Sequence, residues 1–244
     1  MGRRWGRNMN LNKGTLLDVI KSAFSSQTWA IVTPAIWETI YMTLMTVIFT
    51  LLLGLLLGIV LVVTDKQGLH PLPALNKVLG SLVNILRSLP SMILIILTLP
   101  LSRLIIGISY GPQACILALV ASCVPMFGRL VESSILEVPK GKLEAAKSMG
   151  SNNFHIIAKV LLPEALPSLV RSFTIAVIAI ISTTALAGSF GAGGLGDVAV
   201  RFGYSRFKTD ILLATVLVLV LLVQLTQLIG DLLYKRILHK RSLI

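Results

Sequence analysis

Four stretches of this chain run for 20 or more residues without a charge. Positions 39–64 hold 26 uncharged residues, 104–128 hold 25, 172–196 hold 25 and 211–230 hold 20. A helix rises about 1.5 Å per residue, so about 20 apolar residues cross the roughly 30 Å hydrocarbon core of a bilayer. Inside that core every backbone N–H and C=O needs a partner, and a helix supplies them from within. A fifth apolar segment, Val78 to Leu101, carries one charge, Arg87, followed by Ser88, Leu89 and Pro90. It reads as a helix that approaches the membrane surface, breaks near Pro90 and then crosses, because Pro removes a donor and interrupts the hydrogen-bond ladder. The expected fold is an all-α integral membrane bundle of five transmembrane helices.

Composition agrees. Of 244 residues 55% are hydrophobic and 13% charged, against about 25% charged in an ordinary soluble domain. The mean hydropathy is +0.87. A disordered chain and a water-soluble globule are both excluded. The net charge is +12. The basic residues flank the apolar runs, so they read as orientation signals facing lipid headgroups, not as a nucleic-acid surface. Cys115 and Cys123 share one apolar stretch and read as packing residues. His70, His155 and His239 lie in separate polar segments with no nearby Cys partner, so no metal site is expected, nor any cofactor.

Five crossings put the termini on opposite sides. The side holding the segment around Asp65, the long segment around Glu144 and the tail after Asp231 has 13 Lys plus Arg; the other has nine. Four of those nine (Arg3, Arg4, Arg7, Lys13) lie more than 20 residues before the first span, beyond the reach of the positive-inside bias. Trp29, Trp37, Tyr41, Tyr110, Phe202, Tyr204 and Phe207 cluster at the boundaries of the poorer side, as interface anchors do. The expected orientation has the N-terminus outside and the C-terminus in the cytoplasm. The basic Met1-Gly-Arg-Arg start argues the other way. It is followed by polar Asn8, Asn10 and Asn12, which do not make a cleavable leader. Residues 1–33 read as an extension, with Leu16 to Ile31 either a weak interfacial helix or disordered. Residues 34–236 read as one domain and 237–244 as a cytoplasmic tail.

The long segment between the second and third uncharged runs, from Pro139 to Pro163, reads as two short helices around a turn. Pro139 suits a first helical position. Leu143, Ala146 and Met149 or Gly150 recur at helical spacing. Gly150 is placed to be the left-handed residue that ends the first helix, and Ser151 to cap the second. Phe154, Ile157, Ala158 and Leu161 fall at i, i+3, i+4 and i+7 as one apolar face. Pro163 and Pro167 then bend the chain into the next span. Small side chains at Ala145 and Ala146 let another surface approach closely. On periodicity alone, a plain helical loop fits as well.

The spacing is more specific. Glu144-Ala145-Ala146, three residues, Gly150, then Leu162-Pro163 twelve residues later resembles the EAA loop of bacterial ABC-importer permeases. Arg87-Ser-Leu-Pro90 is similar to a break common among amino-acid permeases, and Gly191-Ala-Gly-Gly-Leu-Gly196 also resembles this superfamily. Val160 to Pro167 and the five-span core look most like permease subunits of methionine importers. The resemblance implies an ABC type-1 transmembrane bundle in a bacterial cytoplasmic membrane. It implies a pathway for L- and D-methionine formed with a second copy of the chain. It also implies two copies of a cytoplasmic ATPase subunit, docked at Glu144, Ala145, Ala146 and Gly150, and an extracytoplasmic substrate-binding lipoprotein. Another small amino acid or ligand fits the same resemblance.

Other signals are weaker. Gly191, Gly193 and Gly196 match G-x-G-x-x-G, but a membrane helix precedes them where a strand is needed. They read as a flexible external turn where backbone packs closely. No P-loop run occurs, so ATP hydrolysis is expected on a separate chain and no catalytic residue here. Ser182, Thr183 and Thr184 lie inside the fourth span, where hydroxyls either bond backbone carbonyls or line a pathway. Ser182, Thr183 and Leu186 are the pathway candidates; Leu186 serves equally as packing. Gln224 and Gln227 suit an interhelical bond. A secondary transporter, the alternative from another class, places ionisable groups within its spans, and these spans hold none apart from Arg87. An intramembrane hydrolase needs a facing base, which Ser182 lacks.

Overall fold

The computed structural model describes residues 16–242. Its elements among these residues are helical. Helix α1 (Leu16–Ala23) leads into α2 (Ser26–Thr64), followed by α3 (Pro73–Ser88), α4 (Ser91–Ile106), α5 (Gly111–Leu136), α6 (Lys140–Ser148), α7 (Asn153–Ile156), α8 (Leu162–Ala187), α9 (Gly194–Val198) and α10 (Thr209–Ser242). Four helices are long and apolar enough to cross a membrane: α2, α5, the run from α7 through α8, and α10. The fifth apolar segment is the α3–α4 pair, bent by 109° at Leu89-Pro90. The expected break is therefore present, with one arm nearly perpendicular to the other.

Helix α2 and α5 form the closest pair. Gly54 and Gly58 sit one turn apart on α2, against Phe127, Gly128 and Val131 of α5. A Cβ on Gly58 would lie 2.5 Å from Val131 Cγ1 and 2.7 Å from the Gly128 carbonyl. Lipid tails are as apolar as Leu, so such backbone proximity, through van der Waals contact, is a main source of helix association in a membrane. Ser134 of α5 and Ser172 of α8 share a buried hydrogen bond of 2.8 Å, a link worth roughly 0.6 kcal/mol in this setting.

Residues near the N-terminus differ from expectation. The expected helix from Leu16 to Ile31 is broken at Phe24-Ser25, and its second part belongs to α2. Ser25 caps α2 by accepting the Thr28 N–H at 3.3 Å. Ala23, Val32 and Ala35 are buried against Leu195, Ile211, Ala214 and Val218. This stretch is thus part of the bundle, because its small and β-branched residues find a packed surface on α10. Residues Arg3, Arg4, Arg7 and Lys13 lie outside the described residues. At the other end, α10 continues past position 236 to Ser242.

Pro163 and Pro167 lie within a helical run that extends from Asn153 to a kink at Phe190-Gly191. A π-helical turn, Ile157–Leu161, precedes Pro163, and the Leu162 N–H bonds back to the Ile157 carbonyl. The wider turn absorbs the donor that proline lacks, so the helix continues.

Candidate functional site

The segment from Pro139 to Leu162 caps one end of the bundle. Pro139 is extended (φ −58°, ψ 128°) and sits just before the helix, one residue earlier than expected. α6 turns Ala146 inward, 3% exposed, onto a cluster with Phe127, Val131, Ile135, Ile156 and Leu161. Glu144, Ala145, Ser148 and Met149 face outward and are exposed. Of the four residues read as a docking set, Ala146 is therefore on the opposite face from Glu144 and Ala145.

Gly150 ends α6 as the spacing predicts, with φ +75°. Its N–H bonds the Lys147 carbonyl at 2.9 Å and the Ser151 N–H bonds the Ala146 carbonyl at 3.2 Å. That pair of bonds is the Schellman stop, and the left-handed residue in it costs glycine nothing. The cap of α7 is Asn152, not Ser151. The Asn152 Oδ1 accepts the His155 N–H at 2.8 Å; the turn needs one more residue than expected because Gly150 and Ser151 are both spent on the Schellman bonds. The expected apolar face also changes. Ile156 is fully buried, Ala158 is exposed and Phe154 is 76% exposed. The inward stripe is Ile156, Ile157, Val160 and Leu161, carried through the π-helical turn. Met149, 78% exposed, and Phe154 thus stand outward on a segment that is otherwise polar.

This helix pair is fastened at several points. Lys142 of α6 is ion-paired with Glu164 of α8. Lys140 Nζ donates to Gln67 Oε1 at 2.8 Å, and Asn153 Nδ2 donates to the Leu69 carbonyl at 3.3 Å. Behind α6 lies a chamber of about 460 Å³ between α5, α8 and α10. Its wall includes Glu137, which accepts from Ser168 Oγ at 2.6 Å, and Arg171, whose guanidinium lies 4.4 Å from the centre of the Tyr234 ring. Sequence spacing gives no sign of this chamber, since its residues come from three separate helices. The outward surface at this end is thus Glu144, Ala145, Lys147, Ser148, Met149 and Phe154, on a helix pair fastened to the bundle.

The pathway candidates lie along α8. Ser182 Oγ bonds the Ile178 carbonyl at 3.1 Å, Thr183 Oγ1 the Ala179 carbonyl at 2.7 Å and Thr184 Oγ1 the Ile180 carbonyl at 2.8 Å. Each hydroxyl is satisfied within its own helix. Ser182 and Leu186, one turn apart, are exposed, while Thr183 is half-buried and Thr184 buried. Ser182 shares a groove of about 320 Å³ with Gln224 of α10. Gln227 does not make the expected interhelical bond. It bonds Asp231 Oδ1 at 3.1 Å within α10, because it lies on an exposed face of that helix.

The glycine-rich run after α8 packs its backbone closely, as expected, and is buried where a flexible turn was expected. Gly194, Leu195 and Gly196 are buried. Glu38 Oε2 accepts the Gly194 N–H at 2.6 Å and Thr39 Oγ1 accepts the Leu195 N–H at 2.8 Å. Gly193 and Gly194 have φ of 82° and 76°, and a Cβ on Gly193 would lie 2.6 Å from Glu38 Oε2. The glycines serve close packing, not phosphate binding.

Residues 54–242 match the model of a family described as the binding-protein-dependent transport system inner membrane component. The chain belongs to this family. It is a multi-pass inner-membrane permease, a transport component. Over 210 residues it is 44% identical to a probable D-methionine transport system permease protein of Vibrio cholerae, covering 86% of this chain and 93% of that one. Over 207 residues it is 48% identical to the methionine import system permease protein of Bacillus subtilis, covering 85% and 93%. The permease also superposes on a chain of the MetNI methionine ABC transporter, solved in inward-facing conformations. The TM-score is 0.85 at 36% identity, over 87% of this chain and 99% of that one.

Proposed function

We propose that this permease forms, as a pair, the pathway of an ATP-driven importer for methionine. The observation that carries the reading is the match to the methionine transporter chain along nearly its whole length, at a TM-score of 0.85 and 36% identity. ATP hydrolysis belongs to a separate cytoplasmic ATPase, two copies of which dock on the two permeases. An extracytoplasmic binding lipoprotein delivers the substrate. The transport domain takes in residues 34–236, together with the packed stretch from Ala23 and the end of α10, with the N-terminus outside and the α6 end in the cytoplasm.

Glu144, Ala145 and Gly150, with Met149 and Phe154 beside them, present the surface that enters the ATPase. Ala146 holds that surface on the bundle from behind. The exposed positions of Met149 and Phe154 support this division, because large apolar side chains in a cytoplasmic loop gain by being covered. Ser182, Thr183 and Leu186 line the pathway, with Leu186 closing it at the outer end.

The test is uptake of labelled methionine by cells lacking their own methionine importers. The chain is expressed with its ATPase and binding protein, and unlabelled amino acids compete. ATP-dependent uptake that methionine blocks and other amino acids do not is the expected result. Uptake blocked better by another amino acid moves the assignment to that substrate. Uptake driven by an ion gradient without the ATPase rejects the permease mechanism.

A further inference from the structure

We propose that α3 is an in-plane membrane anchor whose apolar stripe is covered by the acyl region of the lipid leaflet. The helix has three distinct sides. One is held by protein: Asn76 Nδ2 donates to the Leu61 carbonyl at 2.7 Å and to Thr64 Oγ1 at 3.1 Å, and Val83 is buried. On the same side Arg129 of α5 donates to the Gly80 carbonyl and to Asn84 Oδ1, each at 3.0 Å. The second side is polar and exposed, with Lys77, Ser81 and Ser88. The third carries Leu75, Val78, Leu82 and Ile85, which are 44%, 65%, 52% and 59% exposed. Their spacing of three and four residues makes a continuous stripe.

Three observations identify the cover as lipid. The 109° bend lays α3 across the direction of α4, so a crossing α4 places α3 along the membrane surface. Helix α4, next in the chain, likewise exposes apolar side chains, Met92, Ile93, Ile96 and Leu97. The helix holds Lys77 and Arg87 and no acid, a charge balance suited to anionic headgroups flanking a buried apolar face. Asn76 and Arg129 fix the rotation of α3 from two neighbouring helices, so the stripe is aimed and not free to roll.

Spin labels test this on the full chain in phosphatidylglycerol-containing nanodiscs. Single cysteines replace Leu75, Val78, Leu82, Ile85, Lys77 and Ser81 in turn, in a background with Cys115→Ala and Cys123→Ala. All six positions are exposed, where substitution leaves the fold standing. Collision with oxygen, which concentrates in lipid, is compared with collision with a water-soluble nickel chelate. The oxygen-to-nickel ratio is expected to be several-fold higher at Leu75, Val78, Leu82 and Ile85 than at Lys77 and Ser81. High nickel collision at the four apolar positions overturns the proposal, since α3 then faces water. Low collision with both reagents also overturns it, since a protein surface such as a second copy of the chain then covers the stripe. On the unsubstituted chain, a lipid carrying a photoreactive group in its acyl tail should crosslink to the peptide containing Val78 to Ile85. Absence of that crosslink, alongside crosslinks to α4, counts against the anchor.

Discussion

The Glu38 carboxylate accepts the backbone N–H of Gly194 at 2.6 Å, joining residues 156 positions apart. With the Thr39–Leu195 bond beside it, it ties the start of α9 to the fourth turn of α2. Glu38→Ala should free the Gly194 amide while Thr39 keeps Leu195 in place. A hydrogen bond to a charged acceptor is worth about 1.5–3 kcal/mol, so Gly194 should exchange its hydrogen roughly tenfold faster or more. Leu195 should change little. Hydrogen exchange read residue by residue checks this, and equal loss at both amides means the two bonds act as one unit.

Gly58→Ala should destabilise the bundle. The added Cβ meets Val131 and the Gly128 carbonyl well inside contact distance, and overpacking of this kind costs about 1–3 kcal/mol. Gly141→Ala in α6 meets nothing within 4 Å and should be neutral or slightly stabilising, since Ala suits a helix better than Gly. The thermal midpoint of each purified variant in detergent gives the comparison.

The two faces of α6 should separate by mutation. Ala145→Asp and Gly150→Val should reach the membrane at near-normal levels and lose both bound ATPase and uptake. At Gly150 nothing crowds a Cβ, so the cost is the left-handed φ alone, about 1–2 kcal/mol. Ala146→Asp should instead lower the amount of folded protein, because it buries a charge among Phe127, Val131 and Ile156. Membrane level, co-purified ATPase and uptake are measured in the same cells. Normal uptake with Ala145→Asp and Gly150→Val defeats the docking assignment.

Orientation has its own check. A cysteine at Ser205, in a background lacking Cys115 and Cys123, should react with an impermeant thiol reagent on intact cells. One at Ser151 should react only after the membrane is opened. The reverse pattern inverts the topology and removes α6 from the cytoplasm.

The spans and the Pro90 break were legible because membrane insertion acts on long uncharged runs, and a proline in one has a local effect. Gly150 was legible because a Schellman stop is local too. Asn152 was missed by one residue, since Ser151 and Asn152 are both good caps and only the turn decides between them. Phe154 was placed on the wrong face because periodicity marks apolar residues without saying whether they face their own bundle or open outward. The Gly54–Gly58 pair carried a readable signal, small residues four apart in an apolar run, set in a leucine-rich tract. The Glu38–Gly194 bond and the chamber behind α6 depend on residues far apart in the chain, which no local pattern brings together.

The helical run that starts at Asn153 passes through a π-helical turn and ends at a kink at Phe190-Gly191. At 1.5 Å per residue the stretch to Ser189 is about 55 Å long. Ser172, hydrogen-bonded to Ser134, lies near its middle and links it to α5. From there to Asn153 is an arm of about 28 Å, and to Leu186 one of about 21 Å. Rocking of this helix about Ser172 would carry Leu186 opposite to Asn153 and about three-quarters as far.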